Sequence, residues 1–318
     1  MPRTASRPVR RRAARLAGRG AARTGVALAL ALAAGLALSQ GARAQAPDAP
    51  PGPPGAAPPQ ASPGPPLEDA PPSFADGKSG RDIYGCVLDN RFAAYVQEAR
   101  LVSGDRGANA QESRLRMTWK SWRDEKGEPR AGVLSKTLVR YLHPFDLRFS
   151  GYLVINNADR ANDQFVYLAA SRRIRRVNLR NEAVFGTDFT FEDIVPAEIE
   201  DGEYRRLSDA RLDGHPVYVV EVTPRPEADS EYSRLVAYVD RERCVPLRTR
   251  YWDEKGVEVK ELTVPFDAIQ TFGDVHWPMR LTMRNLKLGS FTELTVEHLE
   301  PDAALADKEF EVRRLQSH

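Results

Sequence analysis

Apolar and polar side chains alternate along two stretches of the chain after residue 92. Residues 113–121 and 279–284 both place an apolar side chain at every second position, with charged or polar residues between. The apolar members are Leu115, Met117 and Trp119 in the first stretch and Met279, Leu281 and Met283 in the second. A period of two is typical of a strand with one buried face and one solvated face. Both stretches therefore predict half-buried antiparallel strands.

Other short stretches are apolar on both faces, and turn sequences separate them. The apolar runs are residues 152–155, 165–168 and 217–222, and the turn sequences are 124–127, 253–256 and 273–274. Together these patterns predict roughly eleven strands between residues 92 and 300. One helix is expected over 79–91, because Ser79 and Asp82 have the spacing of a capping box.

These elements predict a mainly β (α+β) fold, in which one antiparallel sheet is strongly curved or closed. A sheet with one apolar face must cover that face, and the chain has too few helical residues for a second layer. A half-barrel closed by a few short helices meets this requirement and leaves a hydrophobic cavity. A filled β-sandwich has the same periodicity and stays open as an alternative.

The first 44 residues have the composition of a secretory signal peptide. They carry nine arginines and no acid, followed by a 13-residue apolar segment from Val26 to Leu38. Ala42-Arg43-Ala44 supplies a cleavage site, which predicts a mature start at Gln45. An uncleaved membrane anchor is the alternative, although the apolar segment is short for a membrane span. Arg10-Arg11-Arg12 leaves the choice between the general and the twin-arginine export routes open.

A proline-rich segment, residues 45–74, separates this leader from the remaining chain. It contains 12 of the 24 prolines and almost no large apolar side chain, which predicts a disordered, semi-stiff linker. A proline-rich ligand for a partner groove is the alternative. Residues 75–318 then form the predicted domain. Without the first 44 residues the net charge changes from +2 to −7, which argues against a nucleic-acid groove. The mature chain shows no segment that would span a membrane.

One stretch resembles a known family. Residues 151–194 read GYLVINNADRANDQFVYLAASRRIRRVNLRNEAVFGTDFTFEDI, with Arg172-Arg-Ile-Arg-Arg-Val177 followed by Gly186-Thr-Asp-Phe-Thr-Phe-Glu-Asp193. This resembles the LolA-like outer-membrane lipoprotein-sorting proteins, in which a "Trp/Phe-x-Tyr-Leu-Pro-Ala…Arg-Arg-Ile" hairpin precedes a "Gly-Ser/Thr-Asp-Phe/Leu-Ser/Thr-Tyr/Phe-Glu-Asp" segment. Ala169-Ala170 departs from Pro-Ala, a minor change of the turn. The similarity extends from about Asp82 to Leu315.

The resemblance implies a curved, incomplete barrel with short helices over a hydrophobic cavity. It further implies a periplasmic protein that binds lipid or lipoprotein acyl chains, with a membrane transporter of the resistance-nodulation-division (RND) class as a partner. Strand alternation and the motif give twelve candidates for the cavity wall. Which face of each strand lines the cavity is left open. They are Leu115, Met117, Trp119, Tyr152, Val154, Phe165, Tyr167, Phe189, Phe191, Met279, Leu281 and Met283.

The family motif, residues Gly186, Thr187, Asp188, Phe189, Thr190, Phe191, Glu192 and Asp193, predicts a short helix that Pro196 ends. Asp188 or Thr190 is its expected N-cap. Phe189 and Phe191 are either core residues or parts of a lid over the cavity, and both point inward only if the segment is irregular. Glu192 and Asp193 have the pattern of paired catalytic carboxylates, but contacts to arginines and to a helix N-terminus are the preferred explanation.

A basic patch consists of Arg172, Arg173, Arg175 and Arg176, which occupy both faces of one strand. One interpretation is an edge strand protected by charge. The other is a rim patch for anionic lipid headgroups or an acidic partner.

Cys86 and Cys244 are the only cysteines. Export would place them in an oxidising compartment, which favours a disulfide over two buried thiols.

The chain contains none of the sequence motifs that would identify an enzyme or a metal site. The five histidines are scattered, and no nucleophile elbow, phosphate-binding loop or dinucleotide fingerprint follows a strand. We therefore expect a monomeric, non-enzymatic carrier without metal or cofactor. The alternative is a lipid- or lipoprotein-sensing regulatory module of an envelope-stress pathway, and an enzyme acting on lipid esters comes third.

Overall fold

The computed structural model describes residues 68–69, 76–107, 109–179, 182–184 and 186–316. All of them belong to the second of two units of the chain, Ala57–His318. The predicted signal peptide and most of the predicted linker lie outside the described residues. Among the described helices, none has the length and apolar character that a membrane crossing requires.

The described residues form seventeen strands and one α-helix, with short 3₁₀ turns between them. The helix is α1 (Gly80–Asp89). The strands are β1 (Glu68–Asp69), β2 (Ala94–Gly104), β3 (Ala110–Ser121), β4 (Val133–His143), β5 (Gly151–Asn157), β6 (Asp163–Leu168), β7 (Arg173–Val177), β8 (Gly202–Arg206), β9 (Ala210–Leu212), β10 (His215–Pro224), β11 (Tyr232–Asp240), β12 (Pro246–Asp253), β13 (Glu258–Thr263), β14 (Ile269–Phe272), β15 (Val275–Pro278), β16 (Arg280–Asn285) and β17 (Ser290–Pro301).

Fifteen of these strands form one antiparallel sheet that does not close. Its order is β1-β9-β10-β11-β12-β13-β16-β17-β2-β3-β4-β5-β6-β7, with β8 paired to β10 as well. β14 and β15 form a separate hairpin. In the middle of the sheet, β17 pairs along its whole length with β2, so that the last strand of the domain lies beside one of the first.

The predicted helix and turns are confirmed, and the strand count is corrected. Ser79 caps α1 with Asp82 in a reciprocal capping box, and the turns at 124–127, 253–256 and 273–274 each join two strands. Sixteen strands start between residues 92 and 300 in the described part of the chain, compared with the eleven predicted. Three of the five additional strands, β9, β14 and β15, have only three or four residues, too few for a visible alternation.

Contacts within the domain show that the sheet is strongly curved. In the segment that follows β7, two residues that are only two positions apart contact different strands. Phe191 packs against Tyr152 on β5, and Asp193 accepts a hydrogen bond from Tyr232 on β11. β5 and β11 are eight strands apart in the sheet. In a flat sheet they would be separated by roughly 38 Å, at about 4.8 Å per strand. The predicted curved sheet is therefore confirmed.

Two elements cover the concave face. One is α1, whose Ile83 packs against Val220, Val222 and Val239. The other is the lid segment, defined here as residues 182–184 and 186–197, whose Phe189 and Phe191 pack into the main hydrophobic cluster. α1 and the lid segment lie on the same face of the sheet. Val222, which packs with α1, and Lys260, which contacts Asp193 of the lid, belong to one row of paired residues, Val222, Leu235, Tyr251 and Lys260, that runs across β10 to β13.

α1 is held close to the sheet by a glycine and a covalent bond. A Cβ atom on Gly80 would lie 2.7 Å from the backbone nitrogen of Arg206, so a side chain at this position would push the helix away from β8. Cys86 on α1 is bonded to Cys244 in the turn between β11 and β12. The predicted disulfide is confirmed, and it fixes α1 over this end of the sheet.

Other segments cover the convex face. The C-terminal turns place Phe310 and Leu315 against Leu153 and Tyr167. At the other end of the sheet, Phe266 and Ile269 pack with Val219 and Val236. Both faces of the sheet are thus apolar over much of their area, which explains why several strands lack a clear alternation.

Candidate functional site

The candidate site is the concave interior under the lid segment. Its central cluster combines side chains from β2 to β6, from β11 to β13, from β16 and from the lid itself. Eight of the twelve predicted wall residues lie in this cluster or pack against it. They are Leu115, Met117, Tyr152, Val154, Phe189, Phe191, Leu281 and Met283.

The remaining four wall candidates lie elsewhere. Phe165 and Tyr167 belong to the cluster on the convex face, under Phe310 and Leu315. The register explains this: Phe165 pairs with Leu153, whereas Tyr152 pairs with Val166, so that neighbouring positions face opposite sides. Trp119 stacks on Tyr95, with ring centroids 5.8 Å apart. Met279 is partly buried just before β16.

The lid segment is irregular where a short helix was predicted. A backbone bridge pairs Ala183 with Thr190, and residues 191–194 form turns. The prediction of a helix is wrong: the backbone forms separate turns, in which Asp193 N donates to Thr190 O and Val195 N donates to Glu192 O. Asp193 Oδ2 accepts hydrogen bonds from both the backbone nitrogen of Thr190 (2.7 Å) and its hydroxyl (3.0 Å). As expected for an irregular segment, Phe189 and Phe191 are both buried.

Asp188 anchors the first half of the motif instead of capping a helix. Its carboxylate accepts hydrogen bonds from Ser290 Oγ at 2.5 Å and from Thr292 Oγ1 at 2.9 Å. The backbone nitrogen of Asp188 donates to Thr292 Oγ1 at 2.9 Å. Both partners are on β17, and Thr292 is fully buried. The interior strand therefore holds the lid by uncharged groups at this point.

Asp193 anchors the second half of the motif through a buried ion pair. Lys260 on β13 donates from Nζ to Asp193 Oδ2 at 2.9 Å and to the hydroxyl of Tyr232 at 2.7 Å. Tyr232 in turn donates to Asp193 Oδ1 at 2.9 Å. The side chains of Lys260 and Asp193 are only 8% and 4% exposed. Burial and the neighbouring Asp193 carboxylate raise the pKa of Tyr232, so its hydroxyl keeps its proton and remains a donor.

Glu192 forms a third anchor, on the loop before β11. Its carboxylate accepts hydrogen bonds from the Ser230 hydroxyl and from the backbone nitrogen of Glu231. Burial raises the pKa of Glu192. All four oxygens of the Glu192–Asp193 pair thus accept hydrogen bonds from the protein. This supports a structural role for the pair, but the predicted arginine partners are wrong: the cation is Lys260.

Sequence reasoning missed the β10–β13 side of the interior. Val222 and Leu235 lie in runs that are apolar on both faces, so the sequence does not show which side of the strand each one faces, and Tyr251 stands between Arg250 and Trp252. Lys260 would be predicted to face solvent, because a lysine within an alternating strand normally lies on the exposed side. The only available signal was the pair of acids in the motif, which needs a cation when buried.

A cavity of about 630 Å³ opens beside the lid, between the two ends of the curved sheet. Apolar and aromatic side chains form much of its inner wall, namely Tyr84, Phe191, Val195, Tyr204, Val222, Tyr232, Leu235 and Tyr251. Asparagines and charged residues of the β5–β6 turn and the β10–β11 loop form its mouth. No group of three or more possible metal ligands occurs within the described part of the chain.

The basic patch lies on β7, an edge strand that pairs with β6. Arg173, Arg175 and Arg176 are exposed on the strand, and Arg172 is exposed in the turn before it. Arg176 forms an ion pair with Asp163. Among the residues whose positions are described, Arg172, Arg173 and Arg175 have no acidic partner. Both interpretations, edge protection and an anion-binding rim, are compatible with this placement.

Comparisons with known proteins agree with the architecture. A protein-family model described as "Uncharacterized protein" matches residues 134–317, which is more than half of the chain. A search among curated proteins gave no match.

Three solved structures share the fold. A DUF1329 family protein from Desulfovibrio piger is 23% identical and has a TM-score of 0.69, with 77% of this chain and 100% of that chain covered. A domain classed as outer membrane lipoprotein-sorting, from Vibrio parahaemolyticus, is 22% identical with a TM-score of 0.67 and coverages of 74% and 98%. A LolA superfamily protein from Nitrosomonas europaea is 16% identical with a TM-score of 0.58 and the same coverages. The chain therefore belongs to the family of uncharacterized proteins that the matching model describes, and its domain has the LolA-like fold that the sequence resemblance predicted.

Proposed function

We propose that this protein is a non-enzymatic carrier that binds the acyl chains of lipids or lipoproteins in the concave interior of its sheet. The observation that carries the proposal is the cavity of about 630 Å³ beside the lid. Its size falls within the range of about 300–1,000 Å³ that is usual for ligand sites, and it combines an apolar wall with a polar mouth. The similar domains with the LolA-like fold support the same reading.

The lid segment gives the carrier a way to take up a chain longer than the open cavity. Val184, Phe189 and Phe191 fill the centre of the interior, and Phe191 also lines the cavity. An acyl chain that displaces these side chains replaces one apolar surface by another. Each buried CH₂ contributes about 0.8 kcal/mol, so a chain of ordinary length offsets the loss of the lid contacts without any chemical step.

The place of action that follows from this proposal is the periplasm, with transfer toward the outer membrane. The predicted export signal and the periplasmic lipoprotein-sorting function implied by the resemblance support it. The RND-class transporter partner, the monomeric state and the export route stay predictions from the sequence. The sensing role in an envelope-stress pathway also stays a prediction, and no contact in the domain favours it over carriage.

The proposal is tested by purifying the mature chain from cells, extracting it with organic solvent and identifying the extract by mass spectrometry. We expect phospholipid or acylated peptide in stoichiometric amount. A delipidated sample should bind a fluorescent fatty acid, and Val195→Asp should weaken that binding at least tenfold, because it places a charge in the cavity wall. Val257→Asp, an identical change on an exposed turn, is the matched control. An empty extract together with equal probe binding by both variants would refute the proposal.

A further inference from the structure

Two neighbouring turns carry most of the exposed apolar surface in the described domain. Seven large hydrophobic side chains are exposed among these residues, and four of them lie in or next to the β4–β5 and β6–β7 turns. They are Leu142, Phe145, Phe149 and Leu168, and Phe145 is 89% exposed. The backbone nitrogen of Ala169 donates to Ser150 Oγ at 3.1 Å, which ties the two turns together. We call residues 142–149 and 168–173 the apolar tip.

The apolar tip is also basic. Arg148, Arg172 and Arg173 are exposed there, and Asp146 is the acid of the two turns. Arg148 lies over the ring of Phe149, 4.7 Å from its centroid. No carboxylate of the described chain pairs with Arg172 or Arg173. Exposed aromatic and aliphatic side chains next to arginines with no acidic partner form a surface for an anionic, apolar partner.

The backbone holds two of these side chains in an uncommon conformation. Phe149 has a φ of 71° and Arg172 a φ of 51°. A bulky residue in the left-handed region costs energy that an asparagine or a glycine would largely avoid. Such strain concentrates at functional positions. Here it occurs on both turns of the tip, at an aromatic residue and at an arginine.

We propose that the apolar tip docks on the surface of a membrane that contains anionic lipids. Phe145, Phe149 and Leu168 enter the boundary between headgroups and acyl chains, while Arg148, Arg172 and Arg173 contact lipid phosphates. The tip is separate from the cavity. The mouth of the cavity includes the β5–β6 turn, which lies at the opposite end of β5 and β6 from the tip. The proposal therefore stands independently of whether the cavity binds lipid.

The experiment is co-sedimentation of the mature chain with vesicles of phosphatidylcholine containing 30% phosphatidylglycerol. Phe145→Ser should lower the partition coefficient of the protein into the vesicles at least tenfold, because it removes the most exposed apolar anchor. Leu288→Ser, an exposed leucine on the β16–β17 turn, is the matched control and should bind like the wild type. An equal loss in both variants, or no binding of the wild type, would overturn the proposal.

A second pair of variants tests the charge. Arg172→Gln/Arg173→Gln should weaken binding to the anionic vesicles roughly thirtyfold at low salt, at about 1 kcal/mol per cation, and should leave binding to pure phosphatidylcholine unchanged. Arg211→Gln/Arg313→Gln, two exposed arginines outside the tip, serve as the control. If the wild type instead dimerises through Phe145 and does not co-sediment with vesicles, the partner of the apolar tip is a second copy of the chain and the proposal is wrong. The fluorescent fatty acid measures the cavity separately in every variant.

Discussion

Two elements cover the same concave face of the sheet, and they are attached in opposite ways. α1 is a regular helix that packs through Ile83, approaches β8 closely at Gly80 and is bonded to the sheet through Cys86 and Cys244. The lid segment is irregular and is held by three carboxylates, those of Asp188, Glu192 and Asp193. Apolar packing reinforced by a covalent bond is permanent. The lid also packs through Phe189 and Phe191, but polar anchors can be exchanged for other donors or for water, so we expect the lid to open more readily than α1.

The largest expected effect comes from removing the covalent attachment of α1. Cys86→Ser/Cys244→Ser removes a cross-link with a sequence separation of 158 residues, and chain-entropy models assign about 5 kcal/mol to a loop of that length. We expect the free energy of unfolding to fall by roughly 2–5 kcal/mol, measured by urea denaturation with tryptophan fluorescence.

Binding of the fluorescent fatty acid should survive this change, since α1 still packs against Val220 and Val222. Dithiothreitol should destabilise the wild type and have no effect on the double variant. If the variant kept full stability but lost the probe, the division between a permanent and an opening cover would be wrong.

The second expected effect concerns the buried ion pair of the lid. Lys260→Met leaves Asp193 buried without its cation, and breaking such a pair costs about 3–5 kcal/mol. The loss should appear locally, as faster amide hydrogen exchange in residues 186–195, while exchange in α1 stays slow.

The control is Lys260→Met/Asp193→Asn, which removes both charges, keeps an amide oxygen as the acceptor for the backbone nitrogen and hydroxyl of Thr190, and should restore part of the protection. Uniform acceleration of exchange across α1 and the lid would show that the two covers form one cooperative unit. That result would remove the basis for a lid that opens by itself.

The smallest expected effect is a pH dependence of the lid. Because burial raises the pKa of Glu192 above its ordinary value, the docked lid binds a proton more readily than the opened lid. Docking is therefore strengthened when the pH falls from neutral toward the ordinary pKa of a glutamate, and it weakens as the pH rises through the raised value.

The change should be smaller than the two effects above and is measured by hydrogen exchange corrected for the intrinsic rate at each pH. Glu192→Gln should abolish this dependence, and Glu254→Gln on the β12–β13 turn should keep it. A slope of the opposite sign in the wild type would contradict the assignment of Glu192.

The sequence predicts the elements with strong local signals and misses those that depend on distant partners. The capping box of Ser79 and Asp82 and the alternation around Met117 are local patterns, and both are confirmed. The face on which Phe165 and Tyr167 lie was not predictable, because their strand is apolar on both sides and only the register with β5 decides it. Lys260 was not predictable either, since its burial depends on Asp193, which is far away in sequence.

The pairing of β17 with β2 has a consequence for how the domain folds. The strand that completes the centre of the sheet comes near the end of the domain, and its neighbour in the sheet comes near the beginning. Until β17 arrives, β2 and β16 both present unpaired edges, and such edges are sites of aggregation. Contacts that join distant parts of a chain also slow folding. A nascent or partly delivered chain therefore cannot complete the centre of this sheet, and its vulnerable period lasts until Ser290–Pro301 is free to fold back on β2.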